Sequence, residues 1–172
     1  VVEAHAAALA AREKRRFDAL QRIYEQRLVI FNSWESAKAR ALQIETQLKS
    51  LQVTYARADA AMTAARKSAQ AVRRDVSRLE NDLLYTRDPA VAERIRLRIQ
   101  LLETEYRTQE SRFKQAEAER NEAFEAGRGL QAKLKGETAE IERLWREGDQ
   151  LELEWLTLMD PWGLLTRGEH ER

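Results

Sequence analysis

The sequence predicts an all-α fold, a long antiparallel two-helix coiled-coil hairpin, and three observations predict it. Apolar residues recur in steps of three and four from Ala41 to Leu83, through Ile44, Leu48, Leu51, Tyr55, Ala58, Met62, Ala65, Ala69, Val72, Val76 and Leu79, with polar or charged residues filling most positions between them. The chain of 172 residues holds only 6 Gly and 2 Pro, while 34% of it is charged and strong helix formers dominate the rest. The two halves carry opposite charge, +5 over residues 1–88 and −4 over residues 89–172. Opposite signs favour pairing the halves with each other over a parallel pairing of like copies.

The first helix is expected over residues 1–85, roughly 80 residues or ~120 Å at about 1.5 Å per residue. Its apolar row runs back from Ala41 through Ala37, Trp34, Ile30, Ile23, Leu20 and Leu9, with Arg27, Arg16 and Glu13 as polar members. Residues 86–89, Thr-Arg-Asp-Pro, form the predicted turn. Asp88 suits a helix cap, Pro89 suits a first helical turn, and the residue before a proline is disfavoured in helix. The second helix is expected over 90–158, with inward positions from Ala92 and Ile95 through Leu102, Tyr106, Phe113, Ala116, Ala123, Leu130, Leu144 and Trp155 to Leu158. Gln109, Arg120 and Glu137 occupy inward positions too and read as register-setting polar residues, with Arg120 in reach of a cation–π contact near Tyr55. Folding at the turn sets residues whose numbers sum to about 175 opposite each other, placing Gly148 near Arg27. Gly127 faces the seam, where close approach explains it. Gly129 and Gly136 face outward, as glycines tolerated in a long helix or as the site of a bend. Residues 159–172 read as a helix end and a polar tail.

The chemistry of most enzymes lacks its parts here. There is no cysteine, the two histidines, His5 and His170, lie near the ends, and the stretch from Gly129 to Gly136 lacks the spacing of a phosphate loop. No catalytic, cofactor-binding or metal-binding residue is expected, and the chain is read as non-enzymatic. Nothing approaches a membrane span, and Glu3 with no basic leader argues against a secretory signal. A cytoplasmic location, free or peripheral to a membrane-associated complex, follows from these features as an expectation.

Two features remain as candidate sites for protein partners. Phe17, Tyr24, Phe31, Trp34, Trp145, Trp155 and Trp162 gather at the end where the termini meet, and the first three, seven residues apart, lie beside the seam. A two-helix seam cannot bury so wide a face, so either a partner, including a second copy, or the segment from Met159 to Leu165 must cover it. Membrane dipping by these aromatics is disfavoured by the surrounding carboxylates. Around the turn, Arg73, Arg74, Arg78, Arg87, Arg94, Arg96 and Arg98 form a basic tip that reads either as a solvated face or as a docking point. With Tyr85 as its one aromatic, the tip is poorly equipped for nucleic acid.

These features suit a spacer or scaffold subunit of a larger assembly. In architecture and composition the chain also resembles the stalk subunits of flagellar and type III secretion export ATPases, cysteine-free helical hairpins rich in Arg and Glu. That resemblance implies a stalk whose aromatic end enters an ATPase ring. A membrane-shaping helical dimer is a third reading, and it requires a basic concave face.

Overall fold

A computed structural model describes residues 2–160 as two helices, α1 from Val2–Tyr85 and α2 from Pro89–Met159, with no strand among the described residues. The chain is a helical hairpin whose helices run antiparallel, as the contacts below establish. Trp162 and the rest of the segment beyond Asp160, one of the two covers considered for the aromatic face, lie outside the described residues.

The reversal takes three residues. Asp88 closes α2 at its start, its carboxylate Oδ1 accepting from the Ala90 amide at 2.9 Å and its carbonyl accepting from the Ala92 amide at 3.0 Å. The side-chain bond satisfies an amide that the first helical turn leaves without a partner, the carbonyl bond is the first of the helix ladder, and Pro89, which has no amide hydrogen, takes the first position. On the other side, the Thr86 hydroxyl donates back to the Asp82 carbonyl at 2.7 Å.

By packing, the chain divides into two units. The second unit, residues 46–131, contains the turn and a narrow core. Its buried side chains are mostly small, with Ala58, Ala65, Ala116 and Ala123 set among Met62, Val72 and Leu102. Alanines along a seam let two backbones approach closely, so overpacking is the ready way to damage it. Arg120, expected near Tyr55, instead pairs with Asp59 at 3.3 Å. A carboxylate competes better than a ring face for a guanidinium in partial contact with water. Tyr55 itself is 38% exposed, the one exposed member of the Ala41–Leu83 row. It borders a groove with Ala123, Phe124 and Gly127, where small α2 side chains offer little wall. No atom lies within 4 Å of where a Gly127 methyl would stand, so close approach does not explain that glycine.

The first unit, residues 1–45 with 132–172, buries Ile23, Ala37, Ala41 and Leu144. Leu9, by contrast, is 48% exposed. The end of α2 is held by α1: the Arg16 guanidinium donates to the carbonyls of Leu158 at 2.7 Å and Met159 at 2.9 Å. The last carbonyls of a helix lack intrahelical donors and carry its negative dipole end, so a cation there satisfies both needs.

The ion pairs between side chains of the two helices sit two to four residues beyond the pairings the turn alone implies. Arg27 reaches Glu152 at 3.5 Å, and Arg40 reaches Glu137 through two bonds of 2.9 Å. Gly148 lines one groove with Arg27 and Ile30 and lies nearest Ile30: a methyl added at Gly148 would stand 3.9 Å from the Ile30 Cγ2. Every side chain on a helix leans toward its own N-terminus. In an antiparallel pair the two leans point opposite ways, so side chains that touch belong to residues whose backbones lie at different levels. The seam itself follows the three-four spacing: every inward position of α2 named above is buried or half-buried.

Candidate functional site

The first unit carries a group of exposed aromatic and apolar side chains that its own two helices leave open. Trp34, half-buried, is the hinge of an aromatic cluster: its ring centre lies 6.1 Å from that of Phe31 and 5.9 Å from that of Trp145, with the planes inclined by 37° and 43°. Such tilted contacts are favourable geometry for ring pairs. The Lys38 ammonium stands 4.0 Å from the centre of the Trp34 ring, a cation–π contact that also holds the indole in place. Phe31 and Trp145 remain 55% and 58% exposed despite these contacts.

Tyr24 and Phe17 continue this surface along α1, with 61% and 66% of their area exposed. An open groove beside them runs between Tyr24, Leu28 and Phe31 on α1 and Trp145 and Gly148 on α2. Asp149 and Glu152 form its acidic edge, and Arg27 is neutralised by Glu152. Trp155, expected among these aromatics, is half-buried at a seam position and is not part of the Trp34 cluster. Trp162 lies outside the described residues.

The geometry adds residues that a count of aromatics passes over. Phe17, Tyr24 and Phe31 are members of a longer row completed by Gln21, Leu28, Glu35, Lys38 and Leu42, all exposed. Its steps are four, three, four, three, four, three and four, and each member follows an inward residue by one position. A one-residue step is a turn of about 100° around a helix, so α1 carries two seams side by side. The first is closed by α2. The second, with Leu28 and Leu42 44% and 65% exposed, faces outward. Continuing the spacing from the aromatic triplet finds it in the sequence, but three polar members obscure the pattern.

On the opposite flank the first unit carries ion pairs beside a second open groove lined by Val29, Ile30, Glu147 and Leu151. Arg40 pairs with Glu137 across the helices, and Arg143 bonds Glu140 at 2.6 and 2.8 Å and also contacts Glu147. Hydrogen bonding from Arg143 lowers the Glu140 carboxyl below its ordinary range, and the same bonds to Glu140 and Glu147 raise the Arg143 guanidinium. Hydrogen bonding to Glu137 likewise raises Arg40.

The basic tip belongs to the second unit. All seven of its arginines are exposed; Arg96 pairs with Glu93 at 3.2 Å, while Arg73, Arg74, Arg78, Arg87, Arg94 and Arg98 have no ion pair among the described residues. Exposed Leu84, Tyr85, Leu97 and Leu101 lie among them. The arginines lie on both helices and in the turn between them, and Arg73 borders a groove with Val76, Glu103, Tyr106 and Arg107. Among the described residues no helix is long and apolar enough to cross a membrane, and no group of three or more His, Cys, Asp or Glu converges as metal ligands do. No protein-family model, curated protein or solved structure matches this chain, which leaves geometry to speak for the site.

Proposed function

We propose that this chain is a non-enzymatic helical-hairpin subunit of a larger protein assembly, a spacer or scaffold joined to its neighbours through the outer seam of α1 from Phe17 to Leu42. The observation that supports this most directly is the second row of three-four spacing, left exposed over its whole length and backed by the Phe31–Trp34–Trp145 cluster. Exposed apolar surface of this extent marks a contact site, and binding energy concentrates in aromatic anchors that a partner can bury. A helix is the natural occupant, because heptad spacing is what a second helix reads. The lack of cysteine suits a reducing compartment, and the assembly is read as cytoplasmic.

Co-purification from the source cell tests the reading. Changing Tyr24 and Phe31 together to Ser should remove stoichiometric companions while keeping the helical signal. A matched change of Arg74 and Arg78 to Ala at the tip should leave them bound. Companions lost only with the arginine pair would move the contact to the tip and overturn this reading.

A further inference from the structure

We infer that the outer seam of α1 is the contact face for a second copy of this chain, docked antiparallel to the first. This rests on the reading of that seam as a protein contact and names its occupant. The steps of the row, four and three in alternation, read the same from either end. Two copies laid antiparallel can therefore match every member of the row with another member, as a two-fold interface requires. With Leu28 against Phe31 of the second copy, Tyr24 meets Glu35, Gln21 meets Lys38, and Phe17 meets Leu42, each pair occurring twice.

Glu35 and Lys38 pair with each other at 3.6 Å within each chain, and both retain hydrogen-bonding capacity for the facing copy. Leu28 with Phe31 and Phe17 with Leu42 are apolar, the Tyr24 hydroxyl can donate to the Glu35 carboxylate, and the Lys38 ammonium can donate to the Gln21 side-chain carbonyl. A parallel pairing sets each residue against its own copy. It would stack Glu35 on Glu35 and Lys38 on Lys38, and like charges at close range are costly. The three aromatics, each more than half exposed, with Leu28 and Leu42, contribute from two copies on the order of 1,000 Å² of apolar surface, where specific association begins.

The whole chain has no cysteine, so single thiols can be placed at will. Two proteins, one carrying Gln21→Cys and the other Lys38→Cys, are mixed and treated with a short bis-maleimide, while sedimentation of the unsubstituted chain gives its mass. The expected results are a dimer, a crosslink that requires both proteins, and for Tyr24→Ser with Phe31→Ser a dissociation constant raised on the order of 100-fold or more with helix content retained. Crosslinking of the Gln21→Cys protein to itself would mean parallel docking and would overturn the proposal. So would a monomer at about 100 µM, a concentration at which a micromolar dimer is formed. In that monomer, with Trp34, Trp155 and Trp162 changed to Phe, acrylamide quenching of Trp145 separates the two readings. Free quenching means an open face that serves a different protein, and only the second copy falls. A shielded Trp145 means that the face is covered from within the chain, and the protein-contact reading falls with it.

Discussion

Replacing Gly127, Gly129 and Gly136 by Ala should stabilise the hairpin, and the structure supplies the reasons one by one. All three lie inside α2, none has a backbone conformation reserved for glycine, and no neighbouring atom stands within 4 Å of where the added methyl would go. The substitution therefore meets no steric penalty, while it removes freedom from the unfolded chain and raises helix propensity, by about 0.4–1 kcal/mol per site. Gly129 and Gly136 are exposed and Gly127 half-buried, so the methyl adds little burial at the first two and some at the third. Summed over the three, the gain is roughly 1–3 kcal/mol, which for a chain of this size raises Tm by about 2–12 °C. Thermal melts followed by circular dichroism, with the single variants beside the triple, read this directly. A lowered Tm in any single variant would refute the reasoning, because it would show that the glycine serves a bend or a close contact at that position.

The narrow core of the second unit predicts the opposite response to added volume: Ala58→Leu, at a position only 1% exposed, and Ala65→Leu, at 5%, should each cost about 1–3 kcal/mol by urea denaturation. Arg16→Ala removes two bonds to the end of α2 and should cost about 1 kcal/mol, with hydrogen exchange accelerated near Leu158 and Met159 and little changed near the turn. Glu140 has a lowered pKa, so its contribution to stability is complete above the ordinary carboxylate value near 4.3 and is lost as pH falls from there through its folded value. Carbon-detected titration of Glu140 should follow this course, and Arg143→Gln should return the midpoint toward the ordinary value.

Sequence spacing alone locates both helices, the turn and most inward positions, Leu9, Glu13 and Tyr55 excepted, because a seam leaves its period in the residues that line it. Three things escape it. The partners of Arg27, Arg40 and Arg120 depend on the lean of side chains along each helix, which residue counting from the turn omits. The role of Gly127 needs the distance to facing atoms, since a small residue at an inward position fits either close approach or open space. At the candidate site, the aromatics announce themselves by number, but the extent of the outer seam lies hidden behind Gln21, Glu35 and Lys38, residue types usually assigned to solvent. Trp155 joins the exposed aromatics only when nearness in sequence is read as nearness in space.

The cross-helix bonds also span steadily growing separations in the chain. Arg120 and Asp59 are 61 residues apart in the chain, Arg40 and Glu137 are 97 apart, Arg27 and Glu152 are 125 apart, and Arg16 reaches across 142 residues to Leu158. Loop closure grows costlier with separation, so pairing that starts beside the turn and advances toward the termini closes each later contact across an already shortened gap. Until α2 leaves the ribosome, however, α1 has no partner for its seam. At about 5–20 residues per second, the 71 residues of α2 take roughly 4–14 s to appear. For that interval a nascent chain displays two unpaired rows of three-four spacing on one helix, the inner one awaiting α2 and the outer one already open to a neighbouring copy on the same message.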